Sequence, residues 1–169
     1  MSTQHGDVML VADLSLTALQ QLLGRYGLQL VQQATDSSIE GSYWGDSEAG
    51  VIGLSVYVRP DTPLHSVLHE ACHVVCMDER RRADLQTDAG GDDLEEAAVC
   101  YLQVVLADQL AGVGSPRLMR DMDAWGYSFR LGSTRRWWHE DAEDARAWLI
   151  SKGLLTDSGE PLFVLRGGV

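Results

Sequence analysis

The chain reads as an α+β protein. Three short apolar alternations fall before Pro60, and from Asp61 onward apolar residues recur at helical spacing. With 169 residues, 45% hydrophobic and 22% charged, it is long enough for one domain with its own core, and its composition is not that of a disordered chain. The expected architecture is a single domain over 1–169. A small N-terminal sheet, antiparallel or mixed, packs on a central helix, further helices fill 115–152, and a hairpin closes the chain at 154–165.

In order, Asp13 or Ser15 caps a helix whose leucines at 16, 19, 22 and 23 form one stripe, stopped by Gly27. Strands are expected at Leu28–Gln33, Ser37–Trp44 and Gly50–Arg59, with Gly53 marking a bulge or close approach. Thr62 then caps a helix with Pro63 in its first turn, running to about Met77 with Leu64, Val67, Leu68, Ala71, Val74 and Val75 as its buried side. Arg80, Arg81 and Arg82 suit the negative end of that helix and read as a solvated exit. A polar loop follows, then Asp92 or Asp93 caps a long helix to about Ala111, ended by Gly112. Ser115-Pro116 opens a helix to about Trp125, Gly126–Gly132 links onward, and Ser133 or Thr134 caps one or two helices to Lys152.

The central helix carries His69-Glu70-Ala71-Cys72-His73, an H-E-x-x-H sequence. Histidines at i and i+4 share one helical face about 6 Å apart, close enough for both imidazoles to reach one zinc ion. Glu70, one residue after the first histidine, leans over the open position of such a metal, where it can take a proton from water. On these residues the segment of about 50–111 resembles the zincin metallopeptidases. That resemblance implies a zincin-like fold in which the sheet precedes the metal helix, Zn2+ as cofactor, a peptide or protein as substrate, and Glu70 as the catalytic base. A non-catalytic zincin-fold binding or regulatory protein is the alternative.

The resemblance also requires a third ligand. The zincin class with a glycine and a third histidine after the motif is excluded, since Cys76 and Glu79 stand there; the glutamate-ligand class, the gluzincins, is closer. It implies a glutamate on a later helix, commonly in a Glu-x-x-Ala setting, and Asp93-Leu94-Glu95-Glu96-Ala97-Ala98 offers two. In helical projection Leu94, Ala98, Val99, Leu102, Val105 and Leu106 centre the apolar face with Glu95 among them, whereas Glu96 falls near Gln103 on the polar boundary. A carboxylate in an apolar stripe needs a partner, so Glu95 is the expected ligand beside His69 and His73, with Glu96 second and Asp92 and Asp93 after it.

Tyr127, His139, Arg136 and Tyr43 stand unranked as donors to a developing oxyanion. His65, one turn before His69, can line a cleft but lies about 12 Å along the axis from His73, too far to share its ion. Cys72, Cys76 and Cys100 are an odd set best read as reduced core thiols; a Cys/His structural zinc site is their rival use. The net charge of −12 opposes nucleic acid and anionic membranes as partners, and weighs against the winged-helix likeness of the C-terminal helix and hairpin. No signal-like or membrane-length apolar run is present, so the expected location is cytoplasmic.

Overall fold

The computed structural model describes residues 8–39, 48–84, 92–129 and 131–167. Over these the chain is α+β, with seven α-helices and a three-stranded mixed sheet. Helix α1 (Leu16–Gly24) starts where the Ser15 hydroxyl accepts from the amide of Ala18, and buries Leu19, Leu22 and Leu23.

The run from Gly50 to Arg59, expected as one strand, folds into a hairpin. Strands β2 (Gly50–Ile52) and β3 (Ser55–Val58) are antiparallel with Ile52 opposite Ser55. Gly53 between them takes φ +60°, the glycine position of a two-residue turn that matches strand twist. It is a turn, not a bulge. β1 (Gln29–Gln32) pairs in parallel with β3, so the order is β1-β3-β2. Residues 37–39 are not in a strand, and the rest of the strand expected at Ser37–Trp44 lies outside the described residues.

Val51, Val56 and Val58 bury their side chains in the core shared with α2 (Leu64–Cys76). α2 is covered on nearly every side, by the sheet, by α4 and by α5. Thr62 is not its cap, contrary to expectation: the Thr62 hydroxyl accepts from the Arg59 amide 2.8 Å away, and Pro63 stands at the N-cap with no side-chain bond. The free amides at the helix start are met instead by backbone, Leu64 N–H donating to Met9 O.

The expected solvated exit after α2 is also corrected. Asp78 caps a short helix α3 (Glu79–Ala83) that turns two of the arginines inward. Arg82 is buried and donates to the carbonyls of Val74 and Met77 at the end of α2 and to Arg166 O. A guanidinium, with five donors, can close a helix end and a distant strap together. α4 (Asp93–Ala107) begins at Asp92, one of the two expected caps, whose carboxylate accepts from Glu95 N at 2.8 Å, but ends before Ala111.

α5 (Ser115–Trp125) buries Leu118, Met119 and Met122 and ends at Gly126 in the left-handed region. The segment to Lys152 forms two helices, α6 (Thr134–Glu140) and α7 (Glu143–Ser151). The expected closing hairpin reduces to one bridge, Leu155 with Pro161. Beyond it the chain runs back across α2, where Arg166 N–H donates to Val75 O at 2.9 Å. Among the described residues no helix is long and apolar enough to cross a membrane.

Candidate metal centre

α2 and α4 pack side by side, and the facing stripe of each carries polar residues. From α2 come His69, Glu70 and His73; from α4 come Glu96, Cys100 and Gln103, spaced one turn apart. His69 Nε2 lies 3.2 Å from His73 Nε2. Glu96 Oε1 is 3.1 Å from His69 Nε2 and its Oε2 is 3.0 Å from His73 Nε2. Two nitrogens each 2.0–2.1 Å from a tetrahedral zinc lie about 3.3 Å apart, so this set of donors fits one such ion with only small shifts.

Glu95 is not in this set, and its expected role as third ligand is corrected. It is buried, as the helical projection required, but on a different side of α4. Arg81 grips both its oxygens at 2.8 Å, and Arg166 adds a third contact at 3.3 Å. The premise that a buried carboxylate needs a partner holds; the partner is a pair of guanidinium groups. Glu96, on the polar boundary, faces the histidines instead. Asp92 is accounted for as a cap, and Asp93 is exposed.

Gln103 sets the orientation of His69. Its side chain is fully buried, and its Nε2–H donates to His65 O at 2.8 Å, which fixes the amide so that Oε1 faces His69 Nδ1 at 3.0 Å. That nitrogen must then carry the proton, and Nε2 keeps its lone pair toward His73 and Glu96. Sequence reasoning missed Gln103 in this part, though its helical phase matched that of Glu96. Gln103→Leu is expected to weaken zinc binding about 10- to 100-fold, as loss of such an orienting bond does elsewhere. Competition with a chromophoric chelator measures it, and unchanged affinity refutes the role.

Electrostatics follow from burial and neighbours. Burial raises the Glu70 carboxyl above its ordinary range, Glu48 and Glu96 add to this, and His69 and His73 oppose it. For Glu96, burial also pushes upward, but its bonds to His69 and His73 win and hold it well below the usual carboxylate range. Burial pushes the Tyr127 phenol up to about 12, so it stays a protonated donor. Its ring sits 5.7 Å from that of His69, and its hydroxyl lies 3.2 Å from His65 Nδ1 and 3.3 Å from Gln103 Nε2.

Of the four oxyanion candidates, the structure brings Tyr127 to the site. Arg136 and His139 lie on α6, where Arg136 pairs with Glu140 and His139 lines a separate cavity beside Trp138. Tyr43 lies outside the described residues. Cys72, Cys76 and Cys100 are free and buried. Cys100 differs from the others in lying within 4.8 Å of donor atoms of both His69 and Glu96.

A cleft of about 320 Å³ opens beside the centre, lined by Glu48, His65, His69, Glu70, Trp125 and Tyr127 among others. β2, at one end of the described strand order, is preceded by Glu48 and Ala49 on its border. A comparison with known protein families, with curated proteins and with solved structures finds no match to this chain.

Proposed function

We propose that the chain is a zinc-dependent metallopeptidase, with His69, His73 and Glu96 as ligands and Glu70 as general base. The observation that supports it is the mutual spacing of 3.0–3.2 Å among the donor atoms of those three side chains, with Glu70 beside the histidines and lining the same cleft as His69. Bound zinc would supply a Lewis acid that polarises the scissile carbonyl and acidifies water at its open position. Glu70 takes a proton from the attacking water and returns it to the departing amine, so that water adds to the carbonyl carbon as the C–N bond breaks. A carboxyl raised by burial is better matched to both transfers than an exposed one. Tyr127, kept protonated and lining the same cleft, donates a hydrogen bond to the developing oxyanion.

Purified without chelator, the protein is expected to hold one zinc per chain, and His69→Ala or His73→Ala to lose it. Elemental analysis decides: no metal, and none taken up on adding zinc, refutes the proposal.

A non-catalytic reading has one observation in its favour. Cys100 lies near enough to His69 and Glu96 to close the coordination shell, and a closed shell is the mark of a structural zinc. Cys100→Ser separates the two: an open hydrolytic site keeps its zinc affinity, whereas a closed site loses most of it.

A further inference from the structure

We infer that the cleft beside the metal centre accepts a cationic group of a peptide, an ammonium or guanidinium next to the bond to be cleaved, and that Glu48 recognises it. This rests on the metallopeptidase reading. Glu48 shares the cleft with His69 and Glu70, and its carboxylate is held at two points. Its Oε2 accepts from the Ser66 hydroxyl at 2.6 Å, and its Oε1 from the Trp125 indole N–H at 2.9 Å. Ser66 is itself fixed by accepting from Ala49 N at 3.0 Å. Both donors to Glu48 are neutral. They orient the carboxylate without balancing its charge.

The charges near the centre add up the same way. The described lining of the cleft carries two carboxylates, Glu48 and Glu70, and no lysine or arginine. A zinc dication is balanced by Glu96 and Glu70, which leaves Glu48 in surplus. A half-buried carboxylate with no counter-ion among the described residues is held at a cost in solvation that a bound cation recovers. Trp125 and Tyr127 add aromatic surface to the same cleft, to which cations are attracted. Over longer range, the net charge of −12 draws cationic substrates toward the protein. If Glu48 served only to tie the start of β2 to α2 and α5, a glutamine would do as well, and that is the basis of the test.

The zinc-loaded protein is titrated calorimetrically with three ligands that share a hydroxamate head but differ in charge, each corrected for its affinity for free zinc: Nα-acetyl-lysine hydroxamate (side-chain cation), norleucine hydroxamate (N-terminal cation) and Nα-acetyl-norleucine hydroxamate (none). At least one cationic ligand is expected to bind about tenfold or more tighter than the uncharged one, the scale of a hydrogen bond to a charged group. Which one it is assigns the source of the cation. In Glu48→Gln, checked for folding by its melting curve and for zinc by elemental analysis, that ratio is expected to fall to about one. Equal binding of all three by the wild type overturns the inference and leaves the metallopeptidase reading standing, and this comparison decides even if the variant does not fold. A preference that survives in folded Glu48→Gln also overturns it. Binding of none of the three by the zinc-loaded protein overturns the open metal position on which the metallopeptidase reading depends, and the inference with it.

Discussion

Glu70→Gln is expected to retain one zinc per chain and the melting temperature of the wild type while peptide hydrolysis falls by about 10²–10⁴-fold, the usual contribution of a positioned general base. Glu70, whose carboxylate lies within 4.8 Å of the donor atoms of His69 and His73, stands outside the tighter set of His69, His73 and Glu96, whose donor atoms lie 3.0–3.2 Å from one another. Removing its charge therefore leaves those ligands in place. Its carboxyl is raised mainly by burial, so replacing it with a neutral amide of the same shape removes a charge that the site holds at a cost, and the fold has no reason to weaken. Proton transfer is another matter, because an amide cannot accept the proton from the attacking water. Zinc content, a melting curve and turnover of a peptide mixture followed by mass spectrometry test the three parts separately. Hydrolysis at the wild-type rate in zinc-loaded Glu70→Gln would remove Glu70 from the mechanism.

The second large effect separates two adjacent glutamates. Glu96→Gln is expected to weaken zinc binding by about two orders of magnitude or more, since the carboxylate bonded to both histidine Nε2 atoms becomes a neutral amide. Glu95→Gln acts on the fold instead. Its carboxylate holds Arg81 and Arg166 together, tying α3 and the C-terminal segment to the first turn of α4. Loss of those charged bonds is expected to lower stability by about 1–3 kcal/mol and the melting temperature by a few degrees. Zinc affinity of the folded Glu95→Gln protein should shift by no more than a few-fold. Chelator competition and thermal melting on both variants give the full pattern. A large loss of affinity in Glu95→Gln with Glu96→Gln unaffected reverses the assignment drawn from the geometry.

What the sequence determined by itself is local. The periodicities placed α1, β1, α2 and α4 close to where they lie, because each depends on which side chains recur on one face of one element. The caps were legible to within one of two residues, Ser15 from the pair Asp13 and Ser15 and Asp92 from the pair Asp92 and Asp93, since a cap bonds amides only a few residues away. The pair His69 and His73 with Glu70 between them was legible for the same reason: one helical turn sets their spacing.

In sequence the run through Gly53 reads as one strand because alternation continues across the turn; the φ of +60° at Gly53 breaks it. The third donor to the centre was decided by tertiary structure. Projection identified Glu95 as buried, which it is, but a projection gives a direction around one axis and not the neighbour lying in that direction. α4 is covered on several sides, by α2, α5 and α7, so burial alone does not say which neighbour a side chain meets. Glu96 and Gln103, from the polar boundary, meet the histidines of α2, while Arg81 and Arg166, the latter 71 residues on in sequence from Glu95, reach round to neutralise Glu95. Contacts of that separation depend on how the helices pack, and so no pattern along one helix could have disclosed them.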